Sequence, residues 1–539
     1  MLPMPTRHAI ATFVGCALLL GLAIVGSSAA AATLASVGFA GLSAALAATM
    51  PLGRRVRRQR LEFAWWLGHG EPSQGGGAVT PGAPFEVRCF IRHRGGHAML
   101  LSALDPIVPG GPRVADTEPR ALWLAPRART EFSFKLVAPA AGRVVLHGLA
   151  VTLRGPFGLF EVPLYFPNPL VIKVLPRSAA RVRTGARVVT GLPVERAGRT
   201  ILRRHGGGTE LREIREFQSG DPFKSIAWKA SARSGRLLVR EVEREVQETR
   251  YVVLDVSGTM RGGPPGSRKL DFAIEAASAE ARRTLDEGDR MGIITVDGRI
   301  LAHVPPGEGA PQMIRIYDAL LAATEVVDQD LTDIEEDELV SLVARYVRHQ
   351  DGIDFAAKDK PGGWDVVALG QHVLRSLASE RKRTDIVAAS AGSSVLRAFC
   401  RARGLPLPYR PDPRDGAKAP GLAAALREAG GKTRTPVTIT VVTDLDGVGE
   451  PESLIAAVRL VRSRAHPLSF VVFDARTFAP DATSALERDL SVVYGRGEQR
   501  RVRDARSMLG RLGVPVIVAT AKDAPALVLA RAGGARRVA

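Results

Sequence analysis

Hydrophobic and polar positions change rhythm several times along this chain. From Ala9 to Gly53 no side chain is charged, a run of 45 residues. As a single helix that run would be roughly 68 Å long, whereas one bilayer core takes about 20 residues. It therefore predicts two membrane passes, 9–25 and 30–52, around the small-residue turn Gly26-Ser27-Ser28. The first pass is rich in Leu, Ile and Val. The second is rich in Ala, Gly and Ser and is expected to pack on the first through small residues. Arg7 precedes the run, and Arg54, Arg55, Arg57, Arg58 and Arg60 follow it. Positive flanks stay inside, so both ends are expected in the cytoplasm, with the soluble domains on the cytoplasmic side of an inner membrane. Trp65 and Trp66 suit the interface. The other reading of the first segment is a cleaved signal peptide, because Ala29-Ala30-Ala31 fits an A-x-A site. Even then the arginines would keep the bulk of the chain inside.

From about residue 70 to 176 the pattern becomes short alternating runs, at 85–90, 131–136 and 144–153, punctuated by Gly and Pro. That spacing predicts a small all-β sandwich with no helical period and no catalytic cluster. Beyond residue 250 the rhythm changes again. A short apolar strand at 250–254 runs into Asp255-Val256-Ser257-Gly258-Thr259-Met260, and a helix follows over 269–285. Strands at 291–296 and 300–304 flank the Asp297-Gly298 turn. Later come a strand at 437–442, a helix at 451–464, a strand at 468–473, a helix near 504–512, a strand at 514–519 and a last helix at 524–531. Buried strands alternating with helices imply a doubly wound, Rossmann-like α/β domain. An insertion spans about 325–421. It opens with 8 acids in 14 residues, 325–338, and a helix from Asp333 to Val347 with Leu339, Leu342 and Tyr346 facing inward. An EF-hand does not fit this run, since no Gly stands at the required offset and Leu339 takes the place of the bidentate Glu. The acidic helix could instead dock the basic segment in cis. The expected domains are thus 1–66, 67–178, a linking segment 179–249, and 250–539.

Composition sharpens this picture. The chain has 539 residues, 45% hydrophobic and 24% charged, which excludes a disordered or collagen-like protein. Its three cysteines, Cys16, Cys89 and Cys400, exclude a disulfide scaffold or a Cys-based zinc site. With 5% aromatics, extended base-stacking surfaces are not expected. Net charge is +19, and residues 177–240 carry 15 Arg/Lys against 5 Asp/Glu. In that segment Arg212, Arg215, Asp221, Trp228, Lys229 and Arg233 alternate sign at close spacing. The structural reading is an ion-pair network with Trp228 packed as an anchor. The functional reading is a docking surface for an acidic partner or anionic lipid. Nucleic acid is disfavoured because no recognisable module accompanies the charge. Gly431-Lys432-Thr433 is a turn rather than a phosphate loop, since Leu426 stands where the first Gly should be and a strand follows. No Gly-x-Ser-x-Gly, His-Glu-x-x-His or Cys-x-x-Cys occurs, so no enzyme is expected.

The run from Gly208-Thr209-Glu210 through Arg215-Glu216-Phe217, Gly220-Asp221 and Ile226-Ala227-Trp228-Lys229-Ala230-Ser231-Ala232-Arg233 resembles the domain of unknown function 58 family, with Phe217 in place of a usual Tyr. Gly142-Arg143-Val144 and Gly155-Pro156-Phe157-Gly158-Leu159-Phe160 resemble the end of that family's β module. The loops at Asp255, Ser257, Thr259 and Asp444 resemble the metal-ion-dependent adhesion site of von Willebrand factor A domains. That resemblance implies Mg2+ held by hydroxyl and carboxylate oxygens, with an open position for a partner's acidic residue. The distant Thr of the pattern is missing. The comparable place, Lys418-Ala419-Pro420-Gly421, offers a lysine, and Thr332 and Thr384 stand in the wrong context. Without metal, Asp255 and Ser257 would cap the next helix or satisfy loop amides. The family resemblance further implies a membrane-anchored adaptor paired with a MoxR-type AAA+ ATPase in a chaperone-like system acting on a client protein.

Overall fold

A computed structural model describes the chain except residues 1–2, 60, 69–77, 97, 109–112, 115–120, 181–200, 220, 222, 246, 326–330, 358–361, 381–391, 411–417, 432–434, 450, 535–539 and most of 480–505. Two compact units divide it: Met1–Leu175 with Glu325–Tyr409, and Pro176–Thr324 with Arg410–Ala539. The insertion expected within the α/β domain therefore belongs, over Glu325–Tyr409, to the first unit.

The first unit opens with a short strand β1 (Met4–Pro5) and two helices, α1 (Arg7–Gly26) and α2 (Ala29–Gln59). Thr6 caps α1, its hydroxyl accepting from Ala9 N, and Ser27 at φ 47° turns the chain back. Both helices are long and apolar enough to cross a membrane. They meet as the small-residue pattern requires: a Cβ on Gly38 would overlap Cys16 Sγ. Phe13 and Phe39 lock edge-on at 5.5 Å. Helix α2 continues through Pro51 into the arginine collar; the collar side chains lie outside the described residues.

The sandwich follows as β2 (Glu62–Leu67), β3 (Ala78–Val79), β4 (Pro84–Arg92), β5 (Met99–Ile107), β6 (Arg113–Val114), β7 (Leu122–Leu124), β8 (Arg129–Val137), β9 (Gly142–Arg154) and β10 (Phe160–Val174). One sheet runs β1-β10-β9-β5-β7 with β3 beside β10, and the other runs β2-β4-β8-β6. Alternating positions such as Val87, Cys89, Ile91, Leu146 and Ile172 form their common core. Trp65 and Trp66, expected at a membrane interface, are instead buried in β2. Period-2 pairing with β4 turns Trp65 into the core, where its Nε1 donates to Asn168 O at 2.8 Å.

The second unit contains α3 (Arg177–Ala180), a two-stranded ribbon of β11 (Ile201–Glu216) and β12 (Leu238–Glu245), and α4 (Trp228–Ser234) between those strands. Its main sheet comprises β13 (Thr249–Asp255), β14 (Arg290–Val296), β15 (Ile300–Gly307), β16 (Val437–Thr443), β17 (Leu468–Phe473) and β18 (Val516–Ala519), ordered β15-β14-β13-β16-β17-β18. All neighbours are parallel except β14 and β15. The helices are α5 (Lys269–Asp286), α6 (Gly309–Thr324), then, after the inserted segment, α10 (Lys418–Gly431), α11 (Glu452–Ser463) and α12 (Pro525–Gly534). Val253, Ile439 and Phe470 face the core shared with α10 and α11, while Val252, Leu254 and Val471 on the alternate positions are buried too. Burial on both faces explains the uninterrupted apolar strands.

The inserted segment forms α7 (Glu336–Gln350), α8 (Val366–Glu380) and α9 (Gly392–Arg403) around Leu339, Val343, Val373 and Phe399. Helix α7 lies on the sandwich: Tyr346 meets His147 edge-on at 5.2 Å, and His349 meets Tyr165 at 4.6 Å. Glu325 pairs with Arg143 at 3.2 Å and Arg401 at 2.7 Å. The start of the acidic run is thus spent inside this unit.

His147 records how closely α7 and the sandwich are packed. Burial, reinforced by Arg403, lowers its pKa to about 4, and its buried Nε2 has no partner among the described residues. A His held below its unfolded value leaves full stability above pH about 6.5 and loses it as the unfolded chain takes up a proton. The expected loss sets in below pH 6.5 and levels off near pH 4. Melting temperature against pH checks this, with His147→Gln giving a flatter profile across that window than the parent.

Candidate functional site: a lysine-filled carboxylate cluster

Parallel register sets Leu254 beside Val442, so Asp255 and Thr443 leave the sheet side by side at its carboxyl edge. Thr443 Oγ1 donates to Asp255 Oδ2 at 2.6 Å, and Ser257 N donates to Asp255 Oδ1 at 3.0 Å. Asp446 N donates to Asp444 Oδ1 at 3.1 Å across a turn in which Leu445 has φ 57°. Helix α10 is pressed on the β14–β15 turn; a Cβ on Gly421 would overlap the Asp297 carbonyl. That approach brings Lys418, the first residue of α10, into the cluster.

Lys418 Nζ lies 2.8 Å from Asp255 Oδ2, 2.6 Å from Asp444 Oδ1 and 2.8 Å from Thr259 Oγ1. Lys269, the first residue of α5, donates to Asp444 Oδ2 at 2.7 Å. Asp255, Asp444 and Lys418 are all buried. An ammonium has three N–H donors and no lone pair, and Lys418 spends all three on these oxygens. Burial alone would push Lys418 down, but Asp255 and Asp444 outweigh it and hold its pKa above the ordinary value. Burial would likewise raise Asp444, but Lys418 and Lys269 hold it well below the usual carboxylate range. A depressed carboxylate loses its stabilisation as pH falls below about 4; a raised lysine loses it as pH rises past about 10. Between those limits two positive and two negative groups balance.

The sequence-derived metal set is thus brought together, with Asp255, Thr259 and Asp444 on one ammonium and the Ser257 hydroxyl 3.3 Å from that of Thr259. A divalent ion at the same oxygens would stand within van der Waals contact of that charge, so the residues present do not fit Mg2+. Among the described residues no group of three His, Cys, Asp or Glu side chains is arranged to hold a metal. The alternative Thr332 sits in the other unit, bonded to Arg397, and Thr384 lies outside the described residues. Sequence reasoning missed Lys269 and Thr443. The signal was present: Thr443 immediately precedes Asp444 at the strand end, and Lys269 opens the helix after the Asp255 loop.

The second set of candidates surrounds α4. Arg215 clamps Asp221 with bonds of 2.8 and 2.6 Å, and Asp221 Oδ2 also accepts Gln218 N at 2.9 Å. Trp228, expected as a packed anchor, is 58% exposed. The buried contacts of α4 are made by Ser231, with Ile226 and Ala227 before it, so the indole at its first position points away. Phe223 is 72% exposed, and its ring centre lies 6.1 Å from that of Trp228. Lys229 and Arg233 are exposed on the same short helix. The Arg212 side chain lies outside the described residues.

A family model described as "Protein of unknown function DUF58" matches residues 213–351. Over that stretch the chain is similar to the DUF58 family. The matched segment covers the Arg215–Asp221 clamp, α4 and the Asp255 loop, and ends with α7. Uncharacterised proteins of Mycobacterium tuberculosis and Mycobacterium bovis are 29% identical over 104 residues, 19% of this chain and 33% of theirs. The chain therefore spans about a third of the length of the curated relatives it matches. Among solved structures, a chain of the zinc 2-glycoprotein and prolactin inducible protein complex from human seminal plasma is 12% identical, covering 21% of this chain and 96% of that one, with a TM-score of 0.16. Native alpha-2-macroglobulin from Escherichia coli is 12% identical, covering 80% and 62%, with a TM-score of 0.18. Neither likeness carries a fold assignment.

Removing one partner of a buried ion cluster costs about 3–5 kcal/mol. Lys418→Met is expected to lower stability by that order, and Asp255→Asn combined with it to restore part of the loss, both read by thermal unfolding in detergent. The parent protein is expected to melt at the same temperature in Mg2+ and in EDTA. A Mg2+-dependent rise would show that an ion displaces the ammonium.

Proposed function

We propose that this protein is a membrane-anchored, non-enzymatic adaptor, and that its von Willebrand factor A-like α/β unit recruits protein partners through the α4 surface without a metal. The observation that carries this reading is the exposed Phe223–Trp228 pair beside Lys229 and Arg233, set on a loop fixed by the Arg215–Asp221 clamp. Large aromatics and arginine at a rigid, solvent-facing position are the residues that dominate binding energy at protein interfaces. Their positive flank favours an acidic partner face. The carboxyl-edge cluster supports the same reading from the opposite direction. Its lysine stays protonated and spends its three donors on Asp255, Asp444 and Thr259, so it offers no lone pair to act as a base.

The partner we infer from the family resemblance is a MoxR-type AAA+ ATPase, with a client protein matured or remodelled on the cytoplasmic side of the inner membrane. Co-purification of the detergent-solubilised protein with such an ATPase tests this. Phe223→Ala and Trp228→Ala are each expected to reduce capture about tenfold, as interface anchors do, with unchanged melting temperatures. Undiminished capture by both variants would sink the α4 surface. No ATPase capture, together with salt-sensitive binding to anionic vesicles or duplex DNA, would favour electrostatic binding through residues 177–240 instead.

A further inference from the structure

The turn that joins β9 to β10 reads Gly155-Pro156-Phe157-Gly158. Gly158 N donates to Gly155 O at 3.1 Å, and Phe157 stands at φ 58°, ψ 5°. This is the third position of a type II turn, where Gly or Asn fits without strain. A bulky aromatic there is a conformational outlier. Packing does not compensate, because Phe157 is 91% exposed. Strain kept at an aromatic that the fold does not use points to a contact outside the fold.

The surroundings of the turn identify that contact. On one side Thr6, the cap of α1, donates from Oγ1 to Gly158 O at 2.8 Å, and its backbone N donates to Leu159 O at 2.9 Å. Met4 and Pro5 extend the attachment by pairing with Glu161 and Phe160. On the other side the buried Thr49 of α2 presses on Gly155 so closely that a Cβ there would overlap its hydroxyl. The start of α1 and the end of the apolar stretch Ala29–Leu52 are the same end of the helical hairpin. The turn is therefore held where apolar helix surface gives way to the arginines that follow in α2.

We propose that Phe157 is seated in the headgroup–acyl boundary of the bilayer that α1 and α2 cross, making the β9–β10 turn a third point of membrane contact. This rests on the membrane-anchor reading of the two helices. An aromatic ring favours that zone, and the arginine-rich sequence that follows Leu52 suits a bilayer with anionic headgroups. With three contacts in place of two helix ends, the sandwich cannot swivel about the hairpin axis.

The test uses the full-length protein in liposomes containing anionic lipid. The three native cysteines are buried, so a thiol-reactive fluorophore reports on Phe157→Cys and, separately, on Leu18→Cys in α1, with the unsubstituted protein as blank. The label at 157 is expected to be quenched by lipids carrying a nitroxide at the headgroup boundary and shielded from aqueous iodide. The label at 18 is expected to be quenched by nitroxides deep in the acyl region. A quenched label at 18 with an iodide-accessible, lipid-insensitive label at 157 would overturn the third contact while leaving the anchor standing. If neither label meets a lipid quencher, the anchor reading itself fails.

Discussion

One ammonium joins three elements of the α/β unit at the carboxyl edge of its sheet. Lys418 ties the first turn of α10 to the ends of two neighbouring parallel strands through Asp255 and Asp444, and to the loop between β13 and α5 through Thr259. Parallel strands leave their carboxylates aligned at one edge, and two buried negative charges there cannot coexist uncompensated. A metal is one answer to that constraint. A lysine delivered by a helix N-terminus is another, with two differences. It cannot be removed by chelation, and once its three donors are used nothing remains to be offered to a visitor. The compensating charge is also tethered, so the position of α10 and the neutrality of the edge become a single property. Gly421 matters for the same reason, because only a residue without Cβ lets α10 come close enough to deliver the lysine.

Much of this architecture was legible in residue periodicity. The strands at 85–90, 131–136 and 144–153, the strand running into Asp255, and the buried run at 468–473 all stand where alternation or continuous apolar character put them. The helix carrying Leu339 and Tyr346 packs inward as its spacing required. Two aromatic assignments failed in opposite directions. Trp65 and Trp66 followed an arginine collar and suited an interface, yet they are core residues of β2. Trp228 sat in a mixed-charge run and suited an anchor, yet it faces solvent. Local sequence gives a tryptophan's chemistry, but only strand pairing or helix orientation decides which side of the backbone meets the core. The ownership of 325–409 was equally hidden, because periodicity reports which face of a helix is apolar and not which sheet will cover it.

The carboxyl-edge cluster was half legible. The oxygen chemistry of Asp255, Ser257, Thr259 and Asp444 stands in the sequence, as does Lys418, a charge in the place of a hydroxyl. What the sequence did not carry is stoichiometry. Lys269 arrives from a second helix and Thr443 from the strand itself, so the group closes as a neutral set of two cations and two anions. The loops that resemble a docking device have their carboxylates paired with lysines, and the mixed-charge segment presents its aromatics to solvent.

The way the chain alternates between units has a consequence for its biogenesis. The chain leaves the first unit after Leu175 and returns to it only at Glu325, staying until Tyr409. A ribosome adding roughly 5–20 residues per second needs roughly 8–30 s to cover that interval. The helical hairpin and the sandwich strands have then been synthesised well before α7 exists to cover its face of the sandwich. During that delay His147 and Tyr165 lack the α7 residues that cover them in the finished fold. Vectorial synthesis thus makes this face a plausible chaperone client, and an unassembled sandwich a natural target for quality control.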